Sequence, residues 1–261
     1  MKNRQFYRRG PIHRPADVSF IDIRKRFEFR SIELGKWVTK EEKNKASNLF
    51  HDALCDLMLI LKAPESLISL RGTLALQYGK GGQRYVSAHY SPAERTFALA
   101  KNAGPGSIAH EWFHAFDHYI CSKLYDENHV SRHSFASSHW LENSDYRQHP
   151  INHRLVKCFQ TILLSEDGEQ PSDVFKQSVL VDKKMNSQYF SQPEEICARA
   201  FEAFVQDSTI KNEFLVKGTK ESDEAKLGLY PRGNERKRIN TAFQNYFVAL
   251  GHALFQEQGK Q

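Results

Sequence analysis

The stretch Ser107-Ile-Ala-His-Glu-Trp-Phe-His-Ala-Phe-Asp-His-Tyr119 decides how this chain is read. It carries the pattern His-Glu-x-x-His at His110, Glu111 and His114. On an α-helix, residues four apart lie about 40° apart around the axis, so both imidazoles point the same way and can grip one ion. Glu111, about 100° round from His110, is placed to hold a water bound to that ion, the layout that zinc-dependent peptide hydrolysis requires. A helical projection puts Trp112, Phe113, Phe116, Tyr119 and Ile120 on one arc and His110, His114, Asp117 and Cys121 on the other. That predicts a buried helix with one polar seam. The turn cluster Asn102-Ala-Gly-Pro-Gly106 precedes it, with Ser107 as the expected N-cap.

Two histidines do not complete a catalytic zinc site, which takes a third protein ligand. His118 is excluded, because eight residues of helix place it about 12 Å from His110 along the axis. Asp117 suits a supporting role, accepting the ring N–H of His114 or a neighbour. A carboxylate on a later helix is the remaining source, and Tyr189 to Gln206 offers one. Ser191 with Glu194 three residues on reads as a capping box, and Pro193 fits a first helical turn. Ala200, Phe204, Cys197, Phe201 and Val205 form the apolar arc of this helix; Glu195, Arg199, Glu202 and Gln206 line the opposite edge. Glu194 is expected to serve the cap. Glu195 and Glu202 face the same way about 20° apart, but Glu202 lies two turns deeper and three residues from Arg199, which suits it to a supporting ion pair. The projection therefore favours Glu195 as the ligand, with Arg199 and Glu202 behind it.

The rest of the composition is that of a self-sufficient globular chain. With 261 residues, 40% hydrophobic content and 18 Phe, it can bury a core without staples. Cys55, Cys121, Cys158 and Cys197 form no Cys-x-x-Cys pair and read as reduced, buried thiols, which favours a cytoplasmic location. No charged-then-apolar leader opens the sequence, and the longest apolar run, around Leu57 to Leu61, is far too short to span a bilayer; no membrane partner is expected. The net charge of +6 is concentrated near the start, at Lys2, Arg4, Arg8, Arg9, Arg14, Arg24, Lys25, Arg26 and Arg30. Interleaved with Phe6, Tyr7, Phe20, Phe27 and Phe29, these residues suit a weak nucleic acid contact, or else an ordinary solvated arm.

Residues 1–38 are expected to form that basic arm, irregular apart from strand-like alternation in Val18 to Phe29 and anchored on the body by Trp37. Residues 39–261 are expected to form a single domain, with a sheet-containing half over 39–125 and a helical half over 126–261. Thr39-Lys-Glu-Glu42 is a capping box for a helix that runs to Leu61, before Pro64. Strands are expected in Leu67 to Tyr78, Tyr85 to Tyr90 and Arg95 to Lys101, the last as an edge strand beside the histidine helix. Gly79-Lys-Gly-Gly82 is a turn whose spacing matches no phosphate loop. The histidine-rich stretch from Tyr125 to Pro150 reads as a long loop, and helices are expected at Ile151 to Leu164, Ser172 to Lys184 and Arg236 to Phe255.

With His110 to His114 and a carboxylate on a later helix, the chain resembles the zincin metallopeptidases that use Glu as the third ligand. More narrowly, Ala109-His-Glu-Trp-Phe-His-Ala-Phe-Asp117 and Pro193-Glu-Glu-Ile-Cys-Ala-Arg-Ala-Phe-Glu-Ala-Phe-Val205 resemble the two motifs of zincin-like domains associated with large polyvalent proteins of phages and conjugative elements. The whole length is similar to the small bacterial CLCA_X family. The resemblance implies an α+β, zincin-like fold: a backing helix, a small twisted, mainly antiparallel sheet, the His-Glu-x-x-His helix and a mostly helical C-terminal lobe. It also implies a Zn2+ cofactor held by His110, His114 and Glu195, Glu111 as general base, and a protein or peptide substrate. No Gly-x-x-His follows His114, a departure from the metzincin branch. Tyr230, or a histidine of the 129–149 stretch, is the candidate for stabilising the oxyanion. The alternative is a DNA-associated accessory protein of a mobile element, its metal site structural or directed at DNA-bound protein.

Overall fold

In the computed structural model, which describes residues 5–80, 88–100, 106–126, 128, 130–142 and 145–259, the chain is α+β. Its first half runs β1 (Arg8–Arg9), α1 (Phe20–Phe27), β2 (Ile32–Leu34), α2 (Lys40–Leu61), α3 (Glu65–Ile68), β3 (Ala75–Tyr78), β4 (Ala88–Ser91), β5 (Thr96–Leu99) and α4 (Ser107–Leu124). The second half continues α5 (Ala136–Glu142), α6 (Pro150–Leu163), α7 (Asp173–Met185), α8 (Pro193–Asp207), β6 (Lys211–Asn212), α9 (Asp223–Lys226) and α10 (Gly233–Gln258). The glycine turn and the strand start at Tyr85 fall partly on 81–87, outside the described residues.

The N-terminal segment is more regular than its sequence suggests. Ser19 accepts from the Asp22 amide while the Asp22 carboxylate accepts from the Ser19 amide, a capping box that starts a helix where strand-like alternation was expected. Phe20, Ile23 and Phe27 then bury one face at helical spacing. β2 joins the main sheet, so residues 1–38 supply a packed helix and an edge strand. Trp37 is 88% exposed, and the residues of this segment that enter the core are Phe20, Ile23, Phe27 and Phe29. Several of the basic residues are held by acids of the body: Arg8 and His13 by the fully buried Asp56, both at 2.7 Å, Arg14 by Asp52 at 3.2 Å, and Arg26 by Glu65 at 3.5 Å.

The Thr39 capping box forms as expected and α2 runs to Leu61, ending at Lys62 in the left-handed conformation. The main sheet has the order β2-β3-β5-β4. β2 pairs parallel with β3, β3 parallel with β5, and only β4 with β5 is antiparallel, so the sheet is mixed and the expectation of a mainly antiparallel sheet is corrected. The reason is connectivity: α2 and α3 lie between β2 and β3, which allows a crossover, whereas β4 turns directly into β5 at Pro92 to Arg95. The expected edge strand is also corrected. All four residues of β5 are buried and it is paired on both sides; among the described residues the unpaired edge next to it belongs to β4. Leu67 to Tyr78, expected to be one strand, divides into α3, a turn region and the four-residue β3.

Against this sheet α4 packs next to α8, with α10 and α6 behind. The seam is aromatic: Phe113 stacks on Phe201 with centroids 5.0 Å apart, Trp112 lies 5.5 Å from both Phe116 and Phe201, and Phe243 and Phe247 close the far side. The Trp112 indole N–H donates to the Ile68 carbonyl at 3.0 Å, fixing the helix's rotation. With the apolar side of α4 so anchored, its polar seam faces α8.

Candidate metal centre

The start of α4 depends on Gly106, which caps the helix with φ 101 and no side-chain bond; Ser107 is the first helical residue and not the cap. A Cβ on Gly106 would lie 2.6 Å from the Lys217 amide nitrogen, so both conformation and space demand glycine. The close approach lets the Ala109 amide, a free donor of the first turn, reach the Leu215 carbonyl at 3.0 Å.

The start of α8 is set from α7. Asp182 accepts from the Phe190 amide at 3.0 Å and the Ser191 amide at 2.7 Å, which draws the chain into the first turn at Pro193. Burial opposes the Asp182 charge, but these bonds lower its pKa below the ordinary value. The expected capping box of Ser191 and Glu194 does not form: Gln192 is the N-cap, and Glu194 instead accepts from the Ser138 hydroxyl of α5.

One helix turn on, three donors meet. His110 Nε2 lies 3.0 Å from His114 Nε2 and 3.5 Å from Glu195 Oε2, and His114 Nε2 lies 3.2 Å from Glu195 Oε1. His110, His114 and Glu195 form a group that could hold a metal ion. The fit can be tested on these separations. Ligands about 2.0–2.1 Å from a tetrahedral zinc stand roughly 3.3 Å from one another, and the observed spacings bracket that value. Two ring nitrogens and a carboxylate aimed at one point also repel each other through their lone pairs unless a cation, proton or metal, lies between them. Burial lowers the His110 pKa, but the carboxylates of Glu202 and Glu195 outweigh it and raise the pKa well above the ordinary value. For Glu195 burial acts in the opposite sense and is again outweighed, by His110 and His114, which hold its pKa far below the usual range.

The surrounding residues hold this group from behind. Glu202 Oε2 accepts the His110 Nδ1–H at 3.0 Å, which fixes the tautomer that leaves the Nε2 lone pair facing Glu195. The same oxygen accepts the Tyr230 hydroxyl at 3.1 Å. Arg199 donates to Glu195 Oε2 at 3.0 Å and lies over the rings of Phe190 and Tyr189, at 5.1 and 5.5 Å. Glu111 sits among His110, His114, Glu195 and Glu202 with its pKa raised by burial, partly offset by the two histidines. Unlike Glu195 and Glu202, it is not engaged by a hydrogen bond among the described residues.

Two supporting roles differ from expectation. Asp117 does not reach His114: its carboxylate accepts the Ser137 amide at 2.9 Å and the Ser137 hydroxyl at 2.5 Å, while His114 Nδ1 has no hydrogen-bond partner among the described residues. Burial, offset by those bonds, pushes the Asp117 pKa up to about 7. Tyr230 is buried behind His110, with its hydroxyl on Glu202, on the opposite side of the ring from Nε2. It is therefore placed to steady Glu202 and not to donate to a reacting oxygen. Two residues were missed. Tyr189 is half-exposed, with its ring under the Arg199 guanidinium that binds Glu195, and burial and Glu195 together raise its pKa. Phe135 sets its ring 5.8 Å from His114 and 5.9 Å from His118. Neither lies on a periodic helix face with the motif, so only the tertiary fold could reveal them.

Comparison with known families adds one observation. Residues 181–254 match large polyvalent protein-associated domain 1. The matched segment runs from the end of α7 to α10 and contains Glu195, Arg199, Glu202 and Tyr230; it does not contain the two histidines of α4. No curated protein and no solved structure matches the chain. Among the described residues, no helix is long and apolar enough to cross a membrane.

Proposed function

We propose that this chain is a zinc-dependent peptidase of zincin-like architecture, associated with the large polyvalent proteins of phages and other mobile elements. The reading rests on one observation above all: His110, His114 and Glu195 converge at 3.0 to 3.5 Å with the carboxylate of Glu111 beside them. The matched domain lends the mobile-element association its support.

A zinc ion held there would polarise a scissile carbonyl and acidify a water. The chain's own residues do the rest. Glu111 takes a proton from the attacking water and delivers it to the leaving amine, a task suited to a carboxyl whose pKa is raised by burial. Glu202 keeps His110 in its ligating tautomer, and Arg199 orients Glu195. The free edge of β4, beside α4, offers main-chain donors and acceptors to an extended peptide, the part first assigned to Arg95 to Lys101. Tyr189, exposed next to Glu195, takes the oxyanion role in place of Tyr230.

The deciding experiment is Glu111→Gln. It should retain one zinc per chain and the wild-type melting temperature while turnover of a responsive peptide falls by ~10² to 10⁴. Unchanged turnover, or loss of zinc with Glu111, would end this mechanism. The alternative, a nucleic-acid-associated accessory protein, predicts a salt-dependent shift of DNA without proteolysis; the ion pairs that Arg8, Arg14 and Arg26 already make weaken it.

A further inference from the structure

One turn beyond the metal centre along α4, a cavity of about 370 Å³ opens between α4, β4 and the segment 130–134. Tyr90, Arg95, His118, Ser122, Lys123 and Arg132 contribute its polar wall, and among the described residues no Asp or Glu lines it. Burial lowers the His118 pKa and favours the neutral ring, against the opposing effect of its bond to Arg132: Nδ1 accepts from the Tyr90 hydroxyl at 2.7 Å and Nε2 donates to the Arg132 carbonyl at 2.9 Å. The charge of the wall therefore comes from its three cations. Lys123 lies over the Tyr119 ring at 4.6 Å. Arg95 stands exposed in the turn from β4 to β5 with φ 48, Arg132 is exposed on the facing segment, and neither forms an ion pair with a described carboxylate. The C-terminal end of α4 opposes an anion here with about half a unit charge, less than the guanidinium groups supply.

The cavity adjoins the catalytic groups. The Phe135 ring stands between His114 and His118, and Tyr90 brings the edge strand to the same place. His114 to His118 is one helical turn, about 6 Å. A peptide added to the edge advances roughly 3.3 Å per residue and turns alternate side chains to the same side, so two residues cover that distance.

We propose that this cavity is a recognition pocket for the carboxylate of an acidic side chain two residues from the scissile bond of a bound polypeptide. Its place in the peptide rests on the peptidase reading; its preference for an anion rests on the cavity alone. The experiment keeps the two apart. The full chain is titrated with N-acetylglutamate N-methylamide, with its glutamine counterpart and with inorganic phosphate, before and after a chelator, following the amide signals of Ser122, Ser131 and Ser134. The glutamate probe should bind at least ~10-fold more tightly than the glutamine one, with or without chelator, and Arg95→Gln/Arg132→Gln should lose that margin without a change in melting temperature. Equal binding of the two probes, or an undiminished margin in the double variant, overturns the pocket. Phosphate bound ~10-fold more tightly than the glutamate probe overturns its assignment to a carboxylate. A peptide library should be cut with Asp or Glu enriched two residues from the cleavage point; cutting without that enrichment overturns the placement. No cutting, with glutamate binding intact, counts against the peptidase reading and leaves the pocket standing.

Discussion

Replacing Glu202 with glutamine isolates what a buried charge behind a ligand contributes. In the native chain one oxygen of Glu202 takes the Nδ1–H of His110 at 3.0 Å and the Tyr230 hydroxyl at 3.1 Å. Glutamine keeps the volume and can still accept through its amide oxygen, but it removes the negative charge. Through the imidazole, that carboxylate stands roughly 7 Å from an ion bound at Nε2. At an effective dielectric constant of ~20, a unit charge and a divalent cation about 7 Å apart attract by about 5 kcal/mol. The carboxylate also favours a proton on His110, which competes with the metal, so only part of that attraction appears as affinity. The expected loss is ~10- to 100-fold in zinc affinity, or about 1.4 to 2.7 kcal/mol. Competition with a chromophoric chelator measures it, with His114→Ala and Tyr230→Phe as companions. Glu202→Gln should still saturate with one zinc, and Tyr230→Phe should lose only a few-fold. An unchanged dissociation constant would refute the argument from charge. Zinc lost as completely as in His114→Ala would show that Glu202, and not Glu195, is the third ligand.

Asp207, at the end of α8, is held by Arg236 at 2.6 and 3.0 Å, Lys220 at 2.8 Å and Asn240 at 2.9 Å; burial opposes its charge, but these partners keep its pKa far below the usual range. A depressed carboxylate stabilises the fold above its unfolded pKa and loses that contribution as pH falls through the folded value, so Asp207→Asn should cost ~1.5 to 3 kcal/mol at pH 7 and progressively less below about pH 4. Urea melts at pH 7 and pH 3 check this, and a difference independent of pH would contradict it. Gly251→Ala adds a Cβ that would lie 2.1 Å from the Lys62 carbonyl oxygen. Alanine's helical advantage of ~1 kcal/mol is outweighed by a backbone clash of ~1 to 3 kcal/mol, so the melting temperature should fall; a rise would mean that α10 can shift away from the end of α2.

What the sequence revealed depended on how local the cause was. The Thr39 capping box and the stop before Pro64 are contacts within one turn, and α2 lies where they place it. The same signal at Ser19 and Asp22 was present but was outweighed by the alternation of Phe27 and Phe29, which mimics a strand. The polar face of α8 could be read from its period, and the structure brings Glu195 of that face against the two histidines. Which carboxylate of the face arrives there depends on how deeply α8 docks on α4, and Glu194 was given a cap that Asp182, from another helix, made unnecessary. Strand order was least legible. Thr96–Leu99 announces burial, but its two partners are chosen by chain crossings that leave no mark on those four residues.

The donor set is divided between two separate stretches of chain, and that division bears on transplantation. Segment 181–254 holds Glu195 and the residues that steady the site from behind, while both imidazoles stay on α4. Moved alone into another protein, the segment would carry a carboxylate and its supports but could not chelate until a host helix presented His-x-x-x-His at the same height. Within this chain, an ion bound by these residues would accordingly be a gauge of docking. An intermediate with every helix intact but α4 and α8 parted would not hold it, so chelation would report assembly at a stage that circular dichroism cannot see.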